Sequence, residues 1–571
     1  MYLRTTTKKH KGQTYRYLHI VESVWRDGRS RQKTVLSLGR ADQIDRKRLR
    51  QIQSLLATLT GDDPLERIKG LDVGSVRYFG QVAVLQRIWQ DLGLDKLLTG
   101  WIEERDIRVP VELLVRVMVF NRLIAPRSKL ALWRWAHRLY LPELFDREIP
   151  LHYFYRALDY VHREKGRIED ALFSRLTDLF SLKLSLVFYD LTSTWFEGDC
   201  CPLAEYGYSR DKRFDKKQIV LGVLTTAEGL PIAHQVWNGK RADVTTVQEM
   251  TERLKERFQI GETIFVGDCG MLSAANIETL MGAGYRYILG LKSRSKEARE
   301  VIVPGSGTVP LDAYDVIARD ALLAREIQGA GDVRYIVCHS FERADVDRAQ
   351  RTRQVETTTA KLERLDADVK SARIKTAEAL QRRVATIFGR KHVKRYFHWS
   401  CGTKAGQPSL SWSLNTEALA YEEQREGKWV IKTDSSLSMA EVIGQYKNLQ
   451  RVENAFDDMK HLLMLRPVRH FAPHRVEGHV LICVLAYLLA RILELRLAKA
   501  GVTWTDEIGD RTQTYPMTAT RALDLLDEVK AVEIQLDGQW LDHLTRIGPH
   551  ARSILHVLGA MPAQRTLPRD A

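Results

Sequence analysis

One stretch constrains the fold more than any other: Leu184-Ser-Leu-Val-Phe-Tyr-Asp190, short, apolar, β-rich and ending in a carboxylate. A run of this length and composition reads as a buried strand. The design recurs at Thr263-Ile-Phe-Val-Gly-Asp268. Around the two lie strand-like runs at 218–225, 231–237 and 286–289, and helical runs at about 244–258 and 274–281. This alternation predicts an α/β sheet covered by helices. Two aspartates delivered at the carboxyl ends of neighbouring strands can converge on one point outside the sheet, where ligands of such folds bind. A few carboxylates, completed by water and phosphate oxygens, are how hard divalent ions, above all Mg²⁺, are held. Either aspartate by itself reads equally well as a turn residue or helix cap; the pair carries the weight.

A third element is Tyr446-Lys-Asn-Leu-Gln-Arg-Val-Glu453-Asn-Ala-Phe-Asp-Asp-Met-Lys460, within helical periodicity over about 439–465. Tyr446, Glu453 and Lys460 recur every seven residues, so each step drifts only about 20° around a helix. Asp457, four residues after Glu453, shares nearly the same face. One side thus offers a phenol, carboxylates and an ammonium in line, a surface suited to a metal-bound phosphodiester. An ordinary amphipathic helix also carries Glu and Lys.

In these motifs the sequence resembles the DDE transposases of bacterial insertion sequences, in the subgroup whose third acidic residue lies in a Tyr-x2-Arg-x3-Glu-x6-Lys signature. Three matches carry the resemblance: Phe188-Tyr-Asp-Leu-Thr-Ser-Thr194, Val266-Gly-Asp-Cys-Gly-Met-Leu-Ser273, and the 446–460 helix followed by Arg466-Pro-Val and Gly478-His479. It covers about 184–495, and the N-terminal stretch from Tyr15 to Gly39 is also similar to one branch of that family. The resemblance implies an α/β fold with an RNase H-like catalytic core interrupted by a large mixed insertion, preceded by an N-terminal β-hairpin and helical DNA-binding regions. It further implies that Asp190, Asp268 and Glu453 form the metal-holding triad, and that Tyr446 and Lys460 are the ends of the signature. One position departs: where the signature has Arg, three after Tyr446, the chain has Leu449. Arg451 lies roughly 140° around the helix from Tyr446 and is a poor substitute. Lys447 or a residue from another segment is left to supply that contact.

The remaining chain fits this frame. At 571 residues it is too long for one core, and at about 150 residues per domain it implies three or four domains. By texture we divide it into a basic β-hairpin region (1–70), a helical, DNA-end-binding region (71–183), a first core segment (184–294), an insertion of a helical hairpin plus strands (295–435), a second core segment (436–498) and a C-terminal tail (499–571). The hairpin is predicted from Tyr15-Arg-Tyr-Leu-His-Ile-Val-Glu-Ser-Val-Trp25 and Lys33-Thr-Val-Leu-Ser-Leu38, joined at Asp27-Gly28. Its polar face would carry Arg16, Arg26, Arg29, Arg31 and Lys33.

Net charge is +15, and residues 1–50 hold fourteen Lys/Arg against four Asp/Glu. So local an excess points to a polyanion partner rather than to solubility alone. Six cysteines without a CxxC pair argue against structural zinc. His470, His474 and His479 lack companion ligands, and Pro473 is expected to interrupt any helix there. Gly305-Ser-Gly307 lacks the Lys-Ser/Thr of a phosphate loop and reads as a turn, so no nucleotide cofactor is expected. The apolar run 480–490 is about half the ~20 residues a membrane span needs, and reads as a buried core helix.

The expected function is metal-dependent DNA strand cleavage and strand transfer at element ends. Its expected cofactor is two Mg²⁺ ions, with Mn²⁺ able to substitute. Its expected partners are double-stranded DNA, both element ends and target, and a second copy of the chain on the paired ends. No membrane partner is expected, and the expected location is the bacterial cytoplasm, at the nucleoid. Two rivals remain open: a catalytically inactive, transposase-derived DNA-binding protein, and a metal-dependent nuclease without strand transfer.

Overall fold

The computed structural model describes residues 2–10, 13–26, 29–43, 72–103, 108–145, 147–180, 186–241, 246, 249–250, 263–267, 274–304, 309–318, 322–389, 392–404, 406–508, 511–536 and 539–567. Asp268 lies outside these residues. Glu453 is described by its backbone but not by its side chain.

The chain divides into two compact units, 1–76 with 531–544 and 564–571, and 77–530 with 545–563. In the first, β1 (Tyr2–His10), β2 (Gln13–Arg26) and β3 (Arg29–Arg40) form an antiparallel sheet in that order. The expected hairpin is β2–β3, its Asp27-Gly28 turn lying outside the described residues. The first strand was not expected, because Arg4, Lys8 and Lys9 hide its alternation. It pairs along its whole length, from Tyr2 opposite Val21 to His10 opposite Gln13. Among the described side chains of these strands only Val21 is buried, and Arg16, Arg29, Arg31 and Lys33 are exposed. Most of β4 (Asp72–Tyr78), up to Val76, also falls in this unit, and it joins strands from the far end of the chain.

In the second unit helices follow one another from Gly80 to Phe180; Val76, expected in the helical region, belongs to β4. Its helices include Val111–Ile124 and Leu151–Arg163. Both pack on Pro473–Lys499, a helix apolar around most of its circumference and buried accordingly. The 480–490 run lies inside it, and no described helix is long and apolar enough to cross a membrane. Pro473 does not interrupt this helix; it opens it, at a position where a missing N–H costs nothing. Gly478 sets the approach of two helices: a Cβ there would stand 2.6 Å from the Leu158 carbonyl oxygen. Gly478→Ala is therefore expected to cost about 1–3 kcal/mol of overpacking strain, read as a lower urea midpoint with an unchanged m-value.

The sheet of this unit starts with β5 (Leu186–Trp195), β6 (Gln218–Thr225), β7 (Pro231–Asn238), β8 (Ile264–Gly267) and β9 (Arg286–Gly290). Their spatial order is β7-β6-β5-β8-β9, with only β5–β8 and β8–β9 parallel. This is the RNase H-like core expected. Most of the expected helix 244–258 lies outside the described residues, whereas Ala274–Gly282 is present as predicted.

The region 295–435 interrupts this core in sequence but extends it in space. Strands β10 (Asp315–Ala318), β11 (Leu322–Gln328) and β12 (Arg334–Ser340) join the sheet through β15 (Lys428–Thr433), which pairs antiparallel with β9, giving nine strands. The predicted helical hairpin is Phe341–Lys370 and Ala377–Phe388. It packs with β13 (Phe397–Lys404) and β14 (Gln407–Leu414) around a separate core that includes Leu362, Leu380, Phe388 and Phe397.

The stretch after 499 is more structured than a tail. It carries a hairpin of β16 (Thr503–Ile508) and β17 (Arg511–Pro516), and helices Ala519–Leu526 and Pro549–Val557. Strands β18 (Lys530–Leu536), β19 (Gln539–Leu544) and β20 (Thr566–Leu567) form with β4 a sheet ordered β20-β19-β18-β4.

Candidate functional site

Asp190 does not end its strand as the sequence suggested. β5 runs five residues further, to Trp195, and Asp190 sits opposite Val223 of β6. Thr192, Ser193 and Thr194 are buried in β5, and threonine's branched Cβ suits a pleated strand. What stops near Asp190 is the described parallel ladder with β8, which runs from Leu186 opposite Ile264 to Phe188 opposite Val266. The aspartate is half-buried, and its Oδ1 accepts the Leu191 N–H at 2.7 Å.

Alternation fixes which face it occupies. Val187, Tyr189 and Leu191 enter a core with Phe265, Leu280 and Tyr285. Phe188, Asp190 and Thr192 therefore point to the other face. In register, Phe188, Val266 and Ile288 form one row across β5, β8 and β9. Two residues on, the next same-face positions are Asp190 on β5 and Gly290 on β9; two residues beyond Val266 the chain carries Asp268, joined directly to the last residue of β8.

The helix Met439–Asp457 covers that face, packing on β5, β8 and β9. Tyr446 fixes its closest approach, because a Cβ at Gly290 would collide with the Tyr446 phenol. Glu453 follows seven residues later, about 10 Å further along the same helix. Leu449, in place of the signature Arg, is buried at 4% exposure and packs as a core residue. The α-helix ends at Asp457, and Asp458–Leu462 forms a π-helical turn. Lys460 therefore does not extend the helical line from Glu453 as the seven-residue spacing suggested.

Lys460 is instead committed to Asp211, a residue that sequence reasoning missed. Its Nζ lies 2.9 Å from Asp211 Oδ1, and Arg466 Nη1 lies 2.6 Å from the same oxygen. Burial pushes the Lys460 ammonium below the usual lysine range, against the pull of Asp211. The loop that carries Asp211 also exposes Tyr206, Tyr208 and Phe214 among Arg210, Lys212 and Arg213. Aromatic and basic residues interleaved in this way were a legible signal of a nucleic-acid surface.

Asp458 is set apart from its neighbours. Burial first, then the charges of Glu494 and Asp457, raise its carboxyl to about 6. A raised carboxyl favours the folded state most below its unfolded value of 3.8, and that contribution is lost as pH rises through about 6. Asp458→Asn is expected to raise the melting temperature above pH 6, with the difference vanishing below pH 3.8, in melts across that range.

The donor chemistry fits hard divalent cations: the sequence supplies carboxylates, with no cysteine or histidine in the set. Among the described residues no group of three His, Cys, Asp or Glu that could hold a metal ion is present; of the expected triad, only the Asp190 side chain is described.

Two family models match the chain. Residues 3–64 match the N-terminal domain of IS1634 family transposases, and residues 190–489, more than half of the chain, match the transposase DDE domain. No curated protein matches. Among solved structures, the chain is similar to a piggyBac transposase synaptic complex with hairpin DNA, with a TM-score of 0.38 and 8% identity, over 79% of this chain and 80% of that one. It is also similar to a Mos1 transposase paired-end complex with the left transposon end, with a TM-score of 0.14 and 16% identity, over 34% of this chain and 57% of that one.

Proposed function

Since the chain belongs to the DDE transposases of insertion sequences, we propose that it cleaves DNA at the ends of its element and joins the freed 3′ ends to target DNA, with Asp190, Asp268 and Glu453 holding the metal ions. The observation that carries this reading is the shared face of the core. Asp190 points to the side of the sheet that the Glu453 helix covers, and Asp268 is the next residue in sequence after the last residue of β8. The family match also begins at Asp190.

The cofactor of this reading is Mg²⁺, two ions per site, with Mn²⁺ able to substitute. Bound there, such ions stabilise charge on the attacking and leaving oxygens of an in-line displacement. The chain's own groups do the positioning. Asp190 is set by the β5–β6 ladder, and the carriage of Glu453 is set by Tyr446 against Gly290. We place the chain in the Tyr-Arg-Glu-Lys subgroup with Leu449 as its departure. There Lys460 acts through Asp211, holding the 458–466 segment beside the site.

The partners are double-stranded element ends and target DNA, drawn by the basic strands β1–β3. A homodimer on paired ends follows from the need to process two ends together. The location is the bacterial cytoplasm, at the nucleoid. The test is a joining assay: purified protein, Mg²⁺, duplex carrying its own element end, and a target plasmid. Nicked and joined products are expected. Nicks without joints indicate a nuclease, and binding without nicks in either Mg²⁺ or Mn²⁺ indicates an inactive DNA-binding protein.

A further inference from the structure

A second cluster of charge lies outside the carboxylate site, where the 122–131 segment meets residues 464–479. A cavity of about 640 Å³ is lined there by Arg122, Arg127, Lys129, Arg466, Arg469 and Arg475, with no Asp or Glu among its lining residues. Two of the six cations are balanced from outside: Arg475 by Asp159 at 2.8 Å, and Arg466 by Asp211. Arg122 is buried and spends its Nη1 on the carbonyls of Leu463 and Met464, at 3.3 Å each. Lys129 is 5% exposed, and among the described residues its amine has no carboxylate partner. Burial, followed by the charge of Arg122, lowers that amine to about 7.

The histidines of the cavity add polar atoms without adding charge. His479 is 6% exposed, and its Nδ1 is buried without a hydrogen-bond partner. Burial and the nearby cations hold His470 down at about 3 and push His479 well below the usual imidazole range. Arg127 and Arg469 stand exposed at the rim. Burying an ammonium without a counter-charge is costly. A protein that keeps one beside a second buried cation, at a cavity rimmed by two exposed arginines and lined by no carboxylate, has the makings of an oxyanion site.

We propose that this cavity seats a phosphate group of the bound DNA strand, with Lys129 at its floor and Arg469 at its rim. The volume admits a phosphate together with its sugar, and charge-assisted bonds from Lys and Arg are the strong ones for such oxygens. The anion site stands on the cavity itself; assigning its phosphate to DNA rests on the transposase reading.

Inorganic phosphate and DNA test the two claims separately. In thermal melts of the full chain at matched ionic strength, phosphate is expected to raise the wild-type midpoint by about 2–5 °C over a chloride control. Lys129→Met, which fills the space without the charge, is expected to melt no lower than wild type without phosphate and to lose the phosphate shift. Its affinity for a short duplex is expected to fall roughly tenfold, as when one charged hydrogen bond is lost. Arg469→Ala, on the exposed surface, should weaken both responses and serves as the test if Lys129→Met does not fold. Equal phosphate shifts in wild type and both variants would overturn the site. A Lys129-dependent phosphate shift with unchanged duplex affinity would overturn its assignment to DNA and leave a free-phosphate site. Loss of strand joining by the wild type, with the phosphate and duplex responses intact, would count against the transposase reading alone.

Discussion

Asp190→Asn is expected to abolish strand cleavage, by roughly 10³-fold or more, while leaving the protein folded. The substitution keeps size and shape at a half-buried strand position and removes only the charge. If that charge holds a metal ion, several kcal/mol of transition-state stabilisation go with it, and each 1.36 kcal/mol is a factor of ten. In EDTA the melting temperature of the variant should equal or exceed that of wild type, because gathered carboxylates repel one another without metal. Single-turnover cleavage of end DNA in Mg²⁺, with melts in EDTA, reads both effects. Cleavage within threefold of wild type would remove Asp190 from the site.

Asp211→Ala is expected to produce the largest loss of stability. Asp211 and Lys460 are 8% and 7% exposed, and Arg466 shares the same carboxylate oxygen. Deleting one side of a buried pair leaves its partners as uncompensated charges, at a cost of about 3–5 kcal/mol; here two cations would face each other. Replacing both partners is a different matter. Asp211→Leu combined with Lys460→Met is expected to cost less than the two single changes together, since apolar residues of similar volume often match a buried ion pair. Urea unfolding of Asp211→Leu, Lys460→Met and the double variant gives the coupling directly. An Asp211→Ala variant within 1 kcal/mol of wild type would show that the pair is an ordinary surface contact.

The pieces legible in the sequence were those whose local pattern agrees with their final environment. The runs ending at Asp190 and Asp268 read as strands because Val187 to Tyr189 of β5 and Phe265 to Gly267 of β8 lie buried on both faces and so form unbroken apolar stretches. The helix of Glu453 read as a helix because Val442, Ile443, Leu449 and Phe456 recur at helical spacing and are buried. Strand β1 escaped because pairing with β2, not an apolar face, holds it. Strands β10, β11 and β12 escaped because their place at the sheet depends on β15, about a hundred residues away in sequence. Pro473 misled because the same residue that breaks a helix interior opens one at its first turn.

Within the site, the residue types were legible and their partners were not. Lys460 was singled out by its spacing from Glu453, but its commitment to Asp211 spans 249 positions of sequence and no local pattern encodes it. Leu449 stood out as a departure, and the fold gives its physical sense: the position faces the packed side of the helix, at 4% exposure. Lys129 is one of several basic residues between Arg122 and Arg134, and the folded helices set it apart by burying it while Arg127 and Arg134 stay exposed.

The central claim is that Asp190, Asp268 and Glu453 hold the divalent ions, and a change of ligand softness tests it most directly. Asp190→Cys and Asp268→Cys should each be inactive with Mg²⁺, which avoids thiolate, and should recover some of their cleavage with Mn²⁺, a better acceptor of sulfur. Glu453→Gln, which keeps the shape but not the charge, should be inactive with either ion. Cleavage by all three variants at the wild-type rate in Mg²⁺ would contradict the assignment.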